Sequence, residues 1–262
     1  MSAYPLSVQL YSVRDAAKSD PQGTLAAIAA MGYLGVECAG FWGWSPKEFR
    51  RRVEDLGMRI TASHSPWTTS ASVSQSIDIA KELGLDVVAG GFGRDNFKDL
   101  DAIAKTCDEV NAICDKLEPH GIRLYLHNHA WEFDRFDAGD GQGPRWGHAI
   151  LAERCPRVWF EIDTYWAANF GAEDPAAAVR HFAHRALFLH IKDGSLVKDQ
   201  PHVAVGSGKI NIPAVVAAAN GRVTRALIVE LDACGTDMLT AVRQSRDYLV
   251  GKGLAIARPA LG

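Results

Sequence analysis

Long apolar runs are missing from this 262-residue chain: none approaches the ~18 residues that cross a bilayer, so no membrane span is expected. An excess of one charge is missing as well. Lys and Arg number 28 against 31 Asp and Glu, a formal net charge of -3, without the basic stripe that marks a nucleic-acid binder. Cysteine is sparse, with five residues and no Cys-x-x-Cys pair. That odd number points to reduced thiols rather than a disulfide scaffold. Met1 to Leu10 lack a cationic segment followed by an apolar one, so a cytoplasmic protein without a secretory leader is expected. No Pro/Gly/Ser-rich linker or charge run divides the chain, and residues 1–262 read as one domain.

Phosphate and protease motifs are lacking too. Gly206-Ser207-Gly208-Lys209 looks like part of a P-loop, but Val203 stands where the first glycine is needed and Ile210 where a Ser or Thr would bind Mg²⁺. Gly90-Gly91-Phe92-Gly93 lacks the GxGxxG spacing, and no HExxH occurs.

What the chain has is alternation. Short apolar runs (Leu6–Leu10, Leu34–Cys38, Arg59–Ser63, Asp86–Ala89, Arg123–His127, Val158–Ile162, Leu187–Ile191 and Ala226–Leu231) alternate with segments of helical period. Several helices announce themselves by a cap followed by proline, as in Asp20-Pro21, Ser45-Pro46 and Asp174-Pro175. Continuous apolar strands suit a parallel sheet covered on both faces. Eight strand–helix units in about 250 residues predict a single closed (β/α)₈ TIM barrel rather than an open doubly wound sheet.

In such a barrel the C-terminal strand ends form the active-site mouth, and here they are polar. Gln9, Glu37, His64, His127-Asn128-His129, Glu161, Asp163, His190, Lys192, Asp193, Glu230 and Asp232 all fall at or just past strand ends. Alternate residues of a strand share a face. Glu161 therefore pairs with Asp163, His190 with Lys192, Glu230 with Asp232, and His127 with His129. Unpartnered, such groups are costly to bury. A divalent cation would satisfy them together, with a hydrogen-bonded network as the alternative. A mixed O/N set suits Mn²⁺, Mg²⁺, Co²⁺ or Zn²⁺ without choosing among them.

The segments Gln9–Arg14, His127–Phe133, Glu161–Trp166, His190–Gly194, Val205–Ile210 and Val229–Asp232 together resemble the xylose-isomerase-like barrel family, the sugar phosphate isomerase/epimerase group. The resemblance spans nearly the whole chain. It implies a divalent cation, Mn²⁺ foremost, held by residues of strands five to eight. Asp163, His190 and Glu230 match three of the four ligands. The fifth strand departs from the pattern, with His127 where a glutamate is usual, so Glu132 is expected to curl back as the fourth ligand, with His127 or His129 as alternatives.

The implied reaction is proton abstraction beside a metal-polarised carbonyl through an enediolate, with Glu132, Glu230, His129 and His127 as candidate acid/base groups. Return of the proton gives epimerisation or isomerisation. Loss of a β-substituent would make the protein a lyase or dehydratase on a keto sugar, glycoside or inosose. His64, Lys192, Trp166 and Trp67 are the expected substrate contacts, and Trp42, Trp44 and Trp131 also fall in strand-end loops. The expected partner is a small sugar, with neither nucleic acid nor membrane, and a homo-oligomer or partner subunit is possible. An endonuclease IV-like nuclease and a non-catalytic accessory subunit are the competing functions. The nuclease calls for more strand-end histidines and a basic groove.

Overall fold

A computed structural model of the chain describes residues 3–260; Met1 and Ser2, where the segment read for a leader starts, lie outside the described residues. Eight strands form the barrel, β1 (Tyr4–Gln9), β2 (Gly35–Cys38), β3 (Arg59–Ser63), β4 (Val87–Gly90), β5 (Arg123–His127), β6 (Trp159–Asp163), β7 (Ala186–Ile191) and β8 (Ala226–Val229), and a ninth, two-residue strand, Ala255–Ile256, adds to β1 outside this order. All their pairings are parallel, in the order β3-β2-β1-β8-β7-β6-β5-β4. The sheet curls into a nearly closed barrel, as the alternation predicts. Among the described residues no ladder joins β3 to β4. Thr68 N crosses that seam, donating to Ala89 O at 2.8 Å.

The helices begin where the caps predict. Asp20 accepts from Gly23 N at 2.8 Å ahead of Pro21–Ala30, Ser45 caps Pro46–Asp55, and Asp174 caps Pro175–Phe182. None of the described helices is long and apolar enough to cross a membrane. Apolar side chains between sheet and helices make the main core, while Ala62, Ala89, Tyr125, Phe188, Ala226 and Ile228 belong to a smaller cluster. By strand parity these six lie inside the barrel below the polar residues. Small and large side chains alternate there, which fills the taper and leaves a solid floor.

Three details differ from the sequence reading. A short helix, Arg14–Ser19, precedes the expected first one and starts without a side-chain cap at Val13. Arg145-Trp146 is not helical but pairs antiparallel with Arg135-Phe136, delaying the helix to Gly147–Arg154. The last barrel strand stops at Val229, so Glu230 and Asp232 stand just past its end.

The loop after β7 is organised by one carboxylate. Buried Asp193 accepts from Gly194 N and Ile210 N through Oδ1, and from Gly206 N and Gly208 N through Oδ2, at 2.9–3.1 Å. Gly208 must lack a side chain, since a Cβ there would lie 2.1 Å from Asp193 Oδ1. This explains the glycine-rich Gly206-Ser207-Gly208 run: its amides wrap a side chain of the protein itself.

Candidate active site at the barrel mouth

Strand register brings the polar residues together in two tiers. In the lower tier Gln9 is in register with Glu37 and His127 with Glu161. Gln9 Nε2 donates to Glu37 Oε2 at 2.8 Å, and Tyr125 OH donates to Glu37 Oε1 at 3.0 Å. Glu161 Oε2 meets His64 Nε2 at 2.6 Å and His127 Nδ1 at 3.1 Å.

His190 joins the tiers. Its Nε2 faces downward to Glu37 Oε2 at 2.7 Å and Glu161 Oε1 at 3.1 Å, and its Nδ1 faces Glu230 Oε2 at 2.7 Å and Asp163 Oδ2 at 3.9 Å. Burial works against its charge, but Glu161, Glu230 and Glu37 outweigh it and hold the imidazole well above its usual range. His127, with its lower share of negative neighbours, is pushed well below that range, chiefly by burial.

In the upper tier Lys192 Nζ lies 2.9 Å from Asp163 Oδ2, 2.8 Å from Glu230 Oε2 and 3.0 Å from Asp232 Oδ2. Asp163 is split in function. Its Oδ1 caps the turn that follows, accepting from Tyr165 N at 3.0 Å and Trp166 N at 2.9 Å. Its buried Oδ2 has no hydrogen-bond partner, because Lys192 approaches outside hydrogen-bonding angles. Burial raises the Asp163 carboxyl to about 6 despite Lys192 and His190.

Two overlapping sets could hold a cation: His64, His127, Glu161 and His190 below, and His127, Asp163, His190 and Glu230 above. Within each, the ligand atoms lie within 4.8 Å of one another. Asp163, His190 and Glu230 thus converge, and the fourth place is taken by His127 from β5. Glu132 is not brought to either set. It sits on the 3-10 turn Trp131–Phe133, where its buried Oε2 accepts from His129 N at 2.9 Å, and burial pushes its carboxyl up to about 8. The turn aims this side chain at its own loop backbone instead of the barrel axis.

Above the upper tier opens a cavity of about 710 Å³ lined by His64, Trp67, His127, His129, Trp166, Lys192 and Glu230 among others, within the size range of small-molecule sites. His129 stacks on Trp131, ring centroids 4.4 Å apart, and its buried Nδ1 has no partner. Trp42 and Trp44 pack against Phe49 instead of lining this cavity. Sequence reasoning placed Glu37 and Glu161 at strand ends without a role, and passed over Tyr125 because it sits inside an apolar run. Their shared strand parity with Gln9 and His127 is the signal that links them.

The sequence profile of the xylose isomerase-like TIM barrel family matches residues 25–250. Comparison with curated proteins gives no match. Among solved structures, a sugar phosphate isomerase/epimerase from Parabacteroides distasonis ATCC 8503 superposes with a TM-score of 0.77 and 24% identity, over 97% of this chain and 95% of that one. An L-ribulose 3-epimerase gives 0.66 and 16% over 96% and 94% of the two chains. The IOLI protein with a bound zinc atom gives 0.69 and 12% over 95% and 98%. These likenesses establish the shared architecture, and the profile match over residues 25–250 shows that this chain belongs to the xylose isomerase-like TIM barrel family.

Proposed function

We propose that this protein is a divalent-metal-dependent sugar isomerase or epimerase that moves a proton on a carbon next to a carbonyl. One observation carries the reading: His127, Asp163, His190 and Glu230 converge within 4.8 Å beneath the cavity of about 710 Å³. The residues fit a cation. Two imidazoles and two carboxylates suit Mn²⁺, our first expectation, as well as Mg²⁺, Co²⁺ or Zn²⁺, and buried Asp163 Oδ2 makes no hydrogen bond, meeting the Lys192 ammonium at 2.9 Å only as an ion pair. When bound, such an ion supplies Lewis-acid polarisation of a substrate carbonyl. The names of the neighbouring structures, a sugar phosphate isomerase/epimerase and an L-ribulose 3-epimerase, agree with this class.

The chain's own residues supply the rest. Glu230 lines the cavity and is held well below the usual carboxylate range; burial opposes this, and Lys192 and His190 overcome it. We assign it as one proton-transferring group. His129, with Nδ1 free of any partner and the ring fixed against Trp131, is the second. Lys192 balances the charge of Asp163, Glu230 and Asp232 and presents its ammonium to a developing oxyanion. Trp67 and Trp166 supply apolar faces that cover a sugar ring and exclude water.

The test is solvent exchange. Protein loaded with Mn²⁺ should introduce deuterium from D₂O into at least one of a panel of 2- and 3-keto sugars, read by NMR after removal of the metal. Asp163→Asn and His190→Ala should lose both bound metal, measured by elemental analysis, and exchange. Full metal content in both variants would refute the site.

A further inference from the structure

The space above the donor set does not stop at the barrel axis. A second cavity of about 470 Å³ adjoins the first, and the two share His129, Trp166 and Asp232 as a common wall. Trp131, Trp166, Phe170 and Val197 give it apolar faces, and Arg94 and Lys198 stand at its exposed rim. The first cavity alone already falls within the range for a small ligand, so the second is surplus to a single sugar ring.

Two further observations mark this wall. Phe170 and Val197 are 37% and 53% exposed, large apolar side chains that the fold leaves uncovered. Phe170, Leu196 and Asp199 adopt φ values of 55°, 59° and 62°, a conformation that residues with a Cβ adopt rarely. Phe170 and Asp199 line the cavity, and Leu196 N is tied to Tyr165 OH at 3.1 Å. Backbone outliers gathered around one cavity point to a function for its shape.

We propose that the second cavity receives the second ring of a glycoside, so that the substrate class is a keto sugar bearing a cyclic aglycone, its ketone on the reacting ring, and not a free monosaccharide. This rests on the sugar-converting reading of the first cavity. The reacting ring lies over the donor set, the glycosidic oxygen passes the wall formed by His129 and Asp232, and the aglycone stacks between Trp131, Trp166 and Phe170. Both an aryl group and the C–H face of a pyranose present the flat apolar surface that such a wall accepts.

Calorimetric titration of the intact protein compares methyl glycosides of glucose, galactose and xylose with their phenyl glycosides and with cellobiose, lactose and xylobiose. For at least one sugar, the ring-bearing ligand should bind about tenfold more tightly than its methyl counterpart. The Phe170→Ala/Val197→Ser double variant, altered only at half-exposed positions, should cut that preference to within about twofold and leave methyl glycoside binding unchanged. A preference for phenyl glycosides assigns an aromatic aglycone, and one for disaccharides assigns a second sugar. Equal binding of methyl and ring-bearing ligands, a ring preference untouched by the double variant, or no binding by any of them overturns the proposal. Deuterium exchange into the 3-keto forms of the same methyl and phenyl glycosides separates the two readings. Exchange without ring preference refutes the aglycone site alone, and ring preference without exchange refutes the proposed reaction alone.

Discussion

His148 offers a sharp test of how burial sets stability in this barrel. It lies in the first turn of Gly147–Arg154, 1% exposed, ringed by Phe97, Phe133, Phe160 and Phe182 at centroid distances of 4.9–6.4 Å. Neither ring nitrogen has a hydrogen-bond partner. Burial, with smaller contributions from Arg185 and His181, lowers its pKa from 6.5 to about 3. The folded state therefore requires the neutral ring. Stability is complete above pH 6.5 and declines as acid protonates the unfolded state first, through the whole interval down to about 3. The difference between those two values gives a loss of about 2 kcal/mol on going from about pH 7.5 to pH 5. For a chain of this size that is about 4–8 °C in Tm. His148→Leu removes the titration and the two unsatisfied nitrogens. Thermal and urea melts of both proteins at the two pH values should show the variant more stable by about 1–3 kcal/mol at neutral pH, with a gap that widens by about 2 kcal/mol in acid. Parallel pH dependence in the two proteins would refute the reasoning, because the other lowered histidines, His127, His129, His181 and His202, are common to both.

Three other perturbations address the site and its supports. Lys192→Met strips Asp163, Glu230 and Asp232 of their shared counter-charge and should cost the metal-free protein about 3 kcal/mol. Millimolar Mn²⁺ should restore most of the lost Tm, and no rescue would argue against a cation on those carboxylates. Glu161→Gln leaves the upper donor set intact but weakens the hold on His190 Nε2. Metal affinity should fall about 10–100-fold by competition with a chelating dye. Asp193→Ala deprives four backbone amides of their acceptor and should lose about 3 kcal/mol in urea unfolding, with new proteolytic cleavage between Ser195 and Ile210.

The sequence exposed most of the frame because its signals are local. A cap followed by proline at Asp20-Pro21, Ser45-Pro46 and Asp174-Pro175 marks a helix start through the next three residues alone. Val13 offers no such group, and the helix from Arg14 was missed. The Arg135-Phe136 and Arg145-Trp146 ribbon was hidden because two-residue strands leave no periodicity. Within the site, strand parity was enough to align His190 with Lys192 and Glu161 with Asp163. Nothing local reveals that Glu37, 153 positions before His190, ends 2.7 Å from its ring. That contact depends on β1 and β8 standing between β2 and β7, a property of the closed sheet. Glu132 shows the same boundary from the other side. Glu132 lies five residues past His127, where the β5 hydrogen-bonding ladder ends, and a single 3-10 turn decides where its carboxylate points.

The clasp around Asp193 has an evolutionary consequence. Asp193 O also accepts from Val203 N at 3.1 Å, and Gly194 O from Lys209 N at 2.9 Å, so the excursion from Ser195 to His202 is pinned at both its base points. Apart from the buried His202 ring, which accepts from Asp232 N at 3.1 Å, its anchors are main-chain atoms and one acid, indifferent to the side chains from Ser195 to Pro201. That stretch can be rewritten like an exchangeable cassette while His190 and Lys192, a few residues upstream, keep their positions. On the proposed function, a lineage could therefore drift among sugars by editing one loop, leaving the donor set at the barrel mouth untouched.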